Sequence, residues 1–161
     1  GARGHDSIPA MAAAAAAVDA AAAAAVGDGG EEARRPRVLV VDDSLANRRL
    51  TEIILKKQDK YTIDLASDGV EAVEACRSQE YDLILMDFFM PNMDGVEATR
   101  EIRRFRPKQR VIGLTGNCLD EDQQKFIQAG ASQVLVKPCK RDTLLTAVFR
   151  ALEDGGGGGG G

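Results

Sequence analysis

Hydrophobic positions along this chain come in two kinds of run that alternate. Arg37-Val-Leu-Val-Val41 is continuous and β-branched, the pattern of a strand covered on both faces. It ends in Asp42-Asp43-Ser44. Ser44 can cap a following helix in which Ala46, Leu50, Ile53 and Ile54 recur at helical spacing as the inward stripe, while Arg48, Arg49, Lys56 and Lys57 take the wet side. Residues 61–65 predict a second, weaker strand, and 68–77 a helix with Val70, Val73 and Cys76 inward. A third strand over 81–86 is closed by Asp87. There Met90-Pro91 forbids continuation and Asp94-Gly95 offers a helix start. Val96, Thr99, Ile102 and Phe105 line a third helix that must stop before Pro107. Strand four, 110–114, ends at Thr115-Gly116. A fourth helix over 119–129 has Asp120, Glu121 and Asp122 in its first turn, where the dipole favours acids, and Gly130 as its stop. Strand five, 133–136, ends at Lys137-Pro138, and a last helix over 141–152 carries Leu144, Leu145, Val148 and Ala151.

Strand then helix, repeated with short connections, predicts an α/β fold: a doubly wound parallel five-stranded sheet with right-handed crossovers. Open sheets of this kind bind ligands at the carboxyl ends of their strands. Here those ends deliver Asp42, Asp43, Asp87, Thr115 and Lys137 to one rim.

Composition narrows the picture. Residues 1–36, an Ala- and Gly-rich head and a charged linker closed by Pro36, have no apolar stripe to bury and are expected to be disordered. The domain is expected at 37–153, with residues 154–161 a polyglycine tail. The Ala run of the head is interrupted by Asp19 and too weakly apolar to be read as a membrane span or signal peptide. With 44% hydrophobic but only 4% aromatic residues and no Trp, the core must be built from aliphatic side chains. The net charge of -4, with bases interspersed among acids, gives no electrostatic reason to bind nucleic acid or an acidic membrane. Cys76, Cys118 and Cys139 are odd in number and lack a CxxC pair, so neither a disulfide framework nor a zinc site is implied and a reducing compartment is expected.

Carboxylates gathered at one rim repel each other and call for a cation. All-oxygen donors without His or Cys point to a hard ion, best Mg²⁺. Lys137 can neutralise further charge and Thr115 can donate a hydrogen bond. A cation, a lysine and a hydroxyl around one carboxylate are the parts needed to stabilise a phosphoryl group on Asp87, which makes Asp87 a nucleophile.

The motifs Val-Asp-Asp-Ser, Leu-Met-Asp-Phe-Phe-Met-Pro-Asn-Met-Asp-Gly, Leu-Thr-Gly and Val-Lys-Pro stand in this order and spacing from Val41 to Pro138. Together they resemble the receiver domain of two-component response regulators, both the free-standing chemotaxis regulators and the receivers of hybrid histidine kinases. The resemblance covers the whole foldable stretch. It implies a flavodoxin-like (βα)₅ sheet of strand order 2-1-3-4-5. Asp87 becomes the phosphoacceptor, with Mg²⁺ held by Asp42, Asp43, Asp87 and the backbone carbonyl of Phe89, and Thr115 and Lys137 sense the phosphoryl group. It implies a histidine kinase or histidine phosphotransfer protein as partner, in the cytoplasm or, in a eukaryote, the nucleus. The chain would assist its own phosphotransfer without being a free-standing kinase or phosphatase. His5, the only histidine, lies in the head, so the donor must come from elsewhere.

Two positions depart from the family pattern. Val134 stands where the family often has an aromatic residue, and Phe89 stands where a polar side chain would orient an attacking water, which predicts slow self-dephosphorylation. Phe89 also argues against an Asp-nucleophile phosphatase, which needs a second acid there, and Asp42-Asp43 would repel the phosphate of a flavin. A phosphate-independent interaction module is the remaining alternative, although such a module would be expected to have lost an acid or the lysine. Taken alone, Asp42-Asp43 reads more simply as a helix-capping turn, the cysteines as small buried hydrophobes, and the arginines between 100 and 106 as a solvated helix face.

Overall fold

The computed structural model describes residues 34–156. The head expected at 1–36 lies outside them up to residue 33, as does the glycine tail beyond Gly156. Strands β1 (Arg37–Val41), β2 (Thr62–Ala66), β3 (Leu83–Asp87), β4 (Val111–Thr115) and β5 (Gln133–Val136) alternate with helices α1 (Leu45–Lys56), α2 (Gly69–Ser78), α3 (Gly95–Phe105), α4 (Asp120–Ala129) and α5 (Arg141–Gly156). All strand pairs are parallel and the order is β2-β1-β3-β4-β5, as expected.

Period-two alternation divides the core between the two faces of the sheet. Leu39, Val41, Ile84, Met86 and Val111 meet Val73, Cys76, Ile102 and Phe126 from α2, α3 and α4. Val38, Val40, Leu83, Leu85, Ile112 and Leu135 meet Leu55 of α1 and Leu144, Ala147 and Val148 of α5. Both faces of β1 and β3 are therefore covered, which is why their sequences show no alternation. β2, β3 and β4 each begin later than predicted and end one residue further along, so Asp87 is the last residue of β3 rather than the residue after it.

The caps follow side-chain chemistry. Ser44 Oγ accepts from the Asn47 N–H, Asp68 from Glu71 and Asp94 from Glu97. Gly130 ends α4 at φ 121°, where an L side chain would be strained. α5 continues beyond the predicted Leu152 through Gly156.

Two inward stripes differ from expectation. In α1 the residues turned toward the sheet are Arg48, Thr51, Glu52 and Leu55, spaced i, i+3, i+4, i+7, with Ile54 packed at their edge. Leu50 and Ile53 are left 57% and 51% exposed, and Ala46 is exposed as well. Polar residues occupy part of the buried face, so apolar periodicity pointed to the wrong side. In α2 the buried set is Gly69, Ala72, Val73 and Cys76; Val70 is one position out of phase and exposed.

Phe126 is the largest fully buried side chain. Its ring lies against Gly113 of β4, where a Cβ would come 2.7 Å from Cδ2, and meets Phe88 edge-on at 5.4 Å. It fixes α4 on the sheet beside the strand end that carries Thr115. Phe126→Ala is expected to cost about 3–5 kcal/mol, read as a lower urea midpoint at unchanged slope.

Candidate functional site

The carboxyl rim is built from three strand ends. Asp87 terminates β3, Asp42 and Asp43 follow β1, and Lys137 follows β5. The alternation that sends Val40, Leu85 and Leu135 to one face sends Asp42, Asp87 and Lys137 to the same side at the rim. There Lys137 Nζ lies 2.8 Å from Asp87 Oδ1 and 3.5 Å from Asp42 Oδ2. Carboxylate oxygens of Asp42, Asp43 and Asp87 all come within 4.8 Å of one another. Asp42 and Asp87 are 4% and 5% exposed, whereas Asp43 faces solvent.

Backbone contacts hold these groups from behind. Asp42 Oδ1 accepts from the Ser44 N–H at 2.9 Å, and the Asp42 carbonyl accepts from Arg48 Nη1 at 2.7 Å. Phe88 N donates to the Leu114 carbonyl, and Gly95 N donates to the Phe88 carbonyl, both at 2.8 Å. Gly95 packs directly on the Asp87 carbonyl, and a Cβ there would collide with it. The Lys137 N–H donates to the Thr115 carbonyl at 2.7 Å, and the Lys137-Pro138 peptide is cis.

Of the residues singled out from sequence, Asp42, Asp43, Asp87 and Lys137 are brought together. Thr115 is fully buried at the end of β4, one residue beyond the register partner of Asp87, and its Oγ1 accepts from the Asn117 N–H at 3.1 Å. Phe89 carries a side chain 59% exposed, its ring 4.5 Å from that of Phe88. Val134 packs against the Phe126 side of the core. The cysteines are free thiols. Cys76 is buried, and burial pushes its thiol up to about 12, so it is an inert core residue. Cys118 is exposed and Cys139 half-buried, so these two are not the small buried hydrophobes expected.

Sequence reasoning missed Arg48, assigned to the wet side, and the Asn92–Asp68 contact, in which Asn92 Nδ2 donates to Asp68 Oδ2 at 2.7 Å. The available signal was Asn directly after Pro91, a residue type that tolerates the left-handed backbone found there, φ 70°.

Electrostatics at the rim are unbalanced. Three carboxylates against one ammonium leave two negative charges in excess. Two like charges within 4.8 Å repel by roughly 3 kcal/mol or more at an effective dielectric of about 20. Burial raises the Asp87 carboxyl above its ordinary range, the Lys137 hydrogen bond pulls it back, and the charges of Asp42 and Asp43 push it up again; the net direction is upward. For Lys137, burial works to lower the ammonium, but the hydrogen bond and charge of Asp87, together with Asp42, outweigh it and the net direction is also upward. The donor set fits a divalent cation: all oxygen, one member open to solvent, and a negative charge that one lysine does not cancel.

A raised folded-state value for Asp87 means that the folded chain holds its proton more tightly than the unfolded chain, so ionised Asp87 costs stability as pH rises through that range. Asp87→Asn is therefore expected to unfold at a higher temperature than the parent at neutral pH in chelator, with the difference shrinking on acidification. Thermal unfolding of both proteins at pH 4 and 7 checks this.

The family model described as the response regulator receiver domain matches residues 38–149. The chain is 38% identical over 116 residues to the chemotaxis protein CheY of Halobacterium salinarum, covering 72% of this chain and 96% of that one. It is 37% identical over 117 residues to transcription factor SKN7 of Saccharomyces cerevisiae, covering 73% of this chain and 19% of that protein. The chain thus spans less than a quarter of the fungal transcription factors it matches. Among solved structures, the receiver domain of sensor histidine kinase PA1611 from Pseudomonas aeruginosa, with a magnesium ion coordinated in its active site cleft, superposes with a TM-score of 0.69 at 36% identity. That match covers 74% of this chain and 99% of that one. Vibrio cholerae CheY4 gives a TM-score of 0.70 at 31% identity over 74% and 100% of the two chains. The match runs through every strand end that builds the rim, and the chain belongs to the response regulator receiver domain family, the signalling module of two-component phosphorelay systems.

Proposed function

We propose that Asp87 is the phosphoacceptor of this domain and that Asp42, Asp43, Asp87 and the backbone carbonyl of Phe89 hold Mg²⁺. The observation that carries this reading is Lys137 Nζ bridging Asp87 and Asp42 while three carboxylates converge on one point. The magnesium in the cleft of the Pseudomonas receiver domain supports the choice of ion. Bound there, Mg²⁺ would offset the excess negative charge of the rim and of an incoming phosphoryl group.

The chain's own residues account for the transfer. Lys137 holds its ammonium on Asp87 Oδ1 and favours the ionised, nucleophilic carboxylate against the pull of burial. A carboxylate oxygen attacks phosphorus on the phosphohistidine of a histidine kinase or histidine phosphotransfer protein. The O–P bond forms as the N–P bond breaks and the electron pair returns to the ring nitrogen; the phosphohistidine enters with its other ring nitrogen protonated by solvent, so the imidazole leaves neutral. Lys137 and the Thr115 hydroxyl then face the new charge on the phosphoryl oxygens. The role is that of a signalling acceptor, distinct from a free-standing kinase or phosphatase, exercised in the cytoplasm or, in a eukaryote, the nucleus.

Incubation with a small acyl phosphate, with and without Mg²⁺, followed by intact-mass measurement, tests the assignment. The parent should gain the mass of one phosphoryl group in Mg²⁺, Asp87→Ala should gain none, and chelator should suppress the gain. No gain on the parent, or equal gain on Asp87→Ala, would favour the phosphate-independent interaction module. The exposed Phe89 ring offers no hydrogen bond to a water approaching phosphorus. Phe89→Asn is accordingly expected to shorten the phosphoryl lifetime several-fold in a decay time course; an unchanged or longer lifetime contradicts this role.

A further inference from the structure

The loop that follows Asp87 is tied to a different βα unit. Residues 88–94 join β3 to α3, and Asn92 stands at their crown in left-handed backbone, φ 70°. Its Nδ2 donates to Asp68 Oδ2 at 2.7 Å. Asp68 is buried and caps α2, its Oδ1 accepting from the Glu71 N–H at 2.9 Å, so each of its carboxylate oxygens has a separate partner. Glu71 Oε1 in turn accepts from the Ser67 N–H at 2.8 Å, which locks the first turn of α2 in place. Beside this contact Gly69 lies against Met93, close enough that a Cβ would strike the Met93 carbonyl oxygen. At the foot of the loop Gly95 N donates to the Phe88 carbonyl and the glycine packs on that of Asp87. The segment holding Phe89 and Met90 is therefore pinned below by α3 and above by α2.

We infer that Asp68 and Asn92 form a strut that positions the Phe89 backbone and thereby sets the affinity of the rim for its cation. The inference rests on the reading that the Phe89 carbonyl and the three aspartates hold Mg²⁺. A side-chain ligand can adjust by rotation, but a carbonyl ligand goes only where its loop goes. Mg²⁺ demands near-octahedral geometry, so a loop free to drift loses affinity. Neither strut residue is among the proposed ligands; both act as positioning residues through the backbone between them. Asn suits the crown because it tolerates positive φ and carries a donor for Asp68.

Calorimetric titration of the metal-free protein with Mg²⁺ tests the strut, using the parent, Asn92→Gly, Asp68→Ser and the double variant. Asn92→Gly keeps the freedom to adopt positive φ, and Asp68→Ser keeps an acceptor for the Glu71 N–H. Each single change is expected to weaken Mg²⁺ binding by about tenfold, as loss of an outer partner does at other metal sites. The double variant should bind no more weakly than the weaker single, because both changes remove one contact. Asn92→Gly should also unfold in chelator close to the parent temperature, which separates positioning from general stability. If the parent binds Mg²⁺ and Asn92→Gly matches it within about twofold, the scatter expected of uncoupled sites, the strut is overturned while the metal site stands. Independent, multiplying losses in the double variant would overturn it too. A parent that binds no Mg²⁺ would overturn the metal site and the strut together.

Discussion

The structure depends on an imbalance of charge at the carboxyl rim of its sheet. Two buried aspartates, Asp42 and Asp87, share one ammonium, and a third, Asp43, stands at the solvent edge. Lys137 is close enough to both buried acids to hold them together, yet one positive charge cannot cancel three negative ones. Burial is the main cause that raises the Asp87 carboxyl, and the charges of Asp42 and Asp43 add to it against the pull of Lys137. A site held in this state favours whatever brings positive charge.

The fold maintains this arrangement through backbone rather than through the acids themselves. Strand alternation sends Asp42, Asp87 and Lys137 to one side, and the parallel register of β1, β3, β4 and β5 brings their ends level. Gly95 lets α3 start directly on the Asp87 carbonyl, Arg48 reaches back from α1 to the Asp42 carbonyl, and the Lys137 N–H is anchored on Thr115. Phe126, lying on Gly113, fixes α4 against the strand that ends in Thr115. These contacts come from the units of β1, β3, β4 and β5, so the rim is a product of four of the five strands.

Much of this was legible in the sequence, for reasons that are local. Unbroken β-branched runs reported central strands, and Ser44, Asp94 and Gly130 marked helix ends through chemistry confined to three or four residues. The acids and the lysine were visible because they follow strands directly. What escaped notice depends on tertiary partners. The buried stripe of α1 contains Arg48 because its guanidinium finds a backbone carbonyl six residues back, a bond no periodicity reveals. Phe126 drew no attention because its importance comes from a glycine in another element. Asn92 was not singled out either, because only the meeting of two loops shows that it carries a hydrogen bond to the cap of α2.

The central claim is that uncancelled negative charge makes the rim a specific divalent-cation site. The most direct measurement is the thermal unfolding midpoint of the metal-free chain as Mg²⁺ replaces Na⁺ at constant ionic strength. Binding to the folded state alone stabilises by RT ln(1 + [Mg²⁺]/Kd), so the midpoint should climb steadily with the logarithm of Mg²⁺ concentration once Kd is passed. A midpoint that responds to Mg²⁺ no more than to Na⁺ would contradict the account.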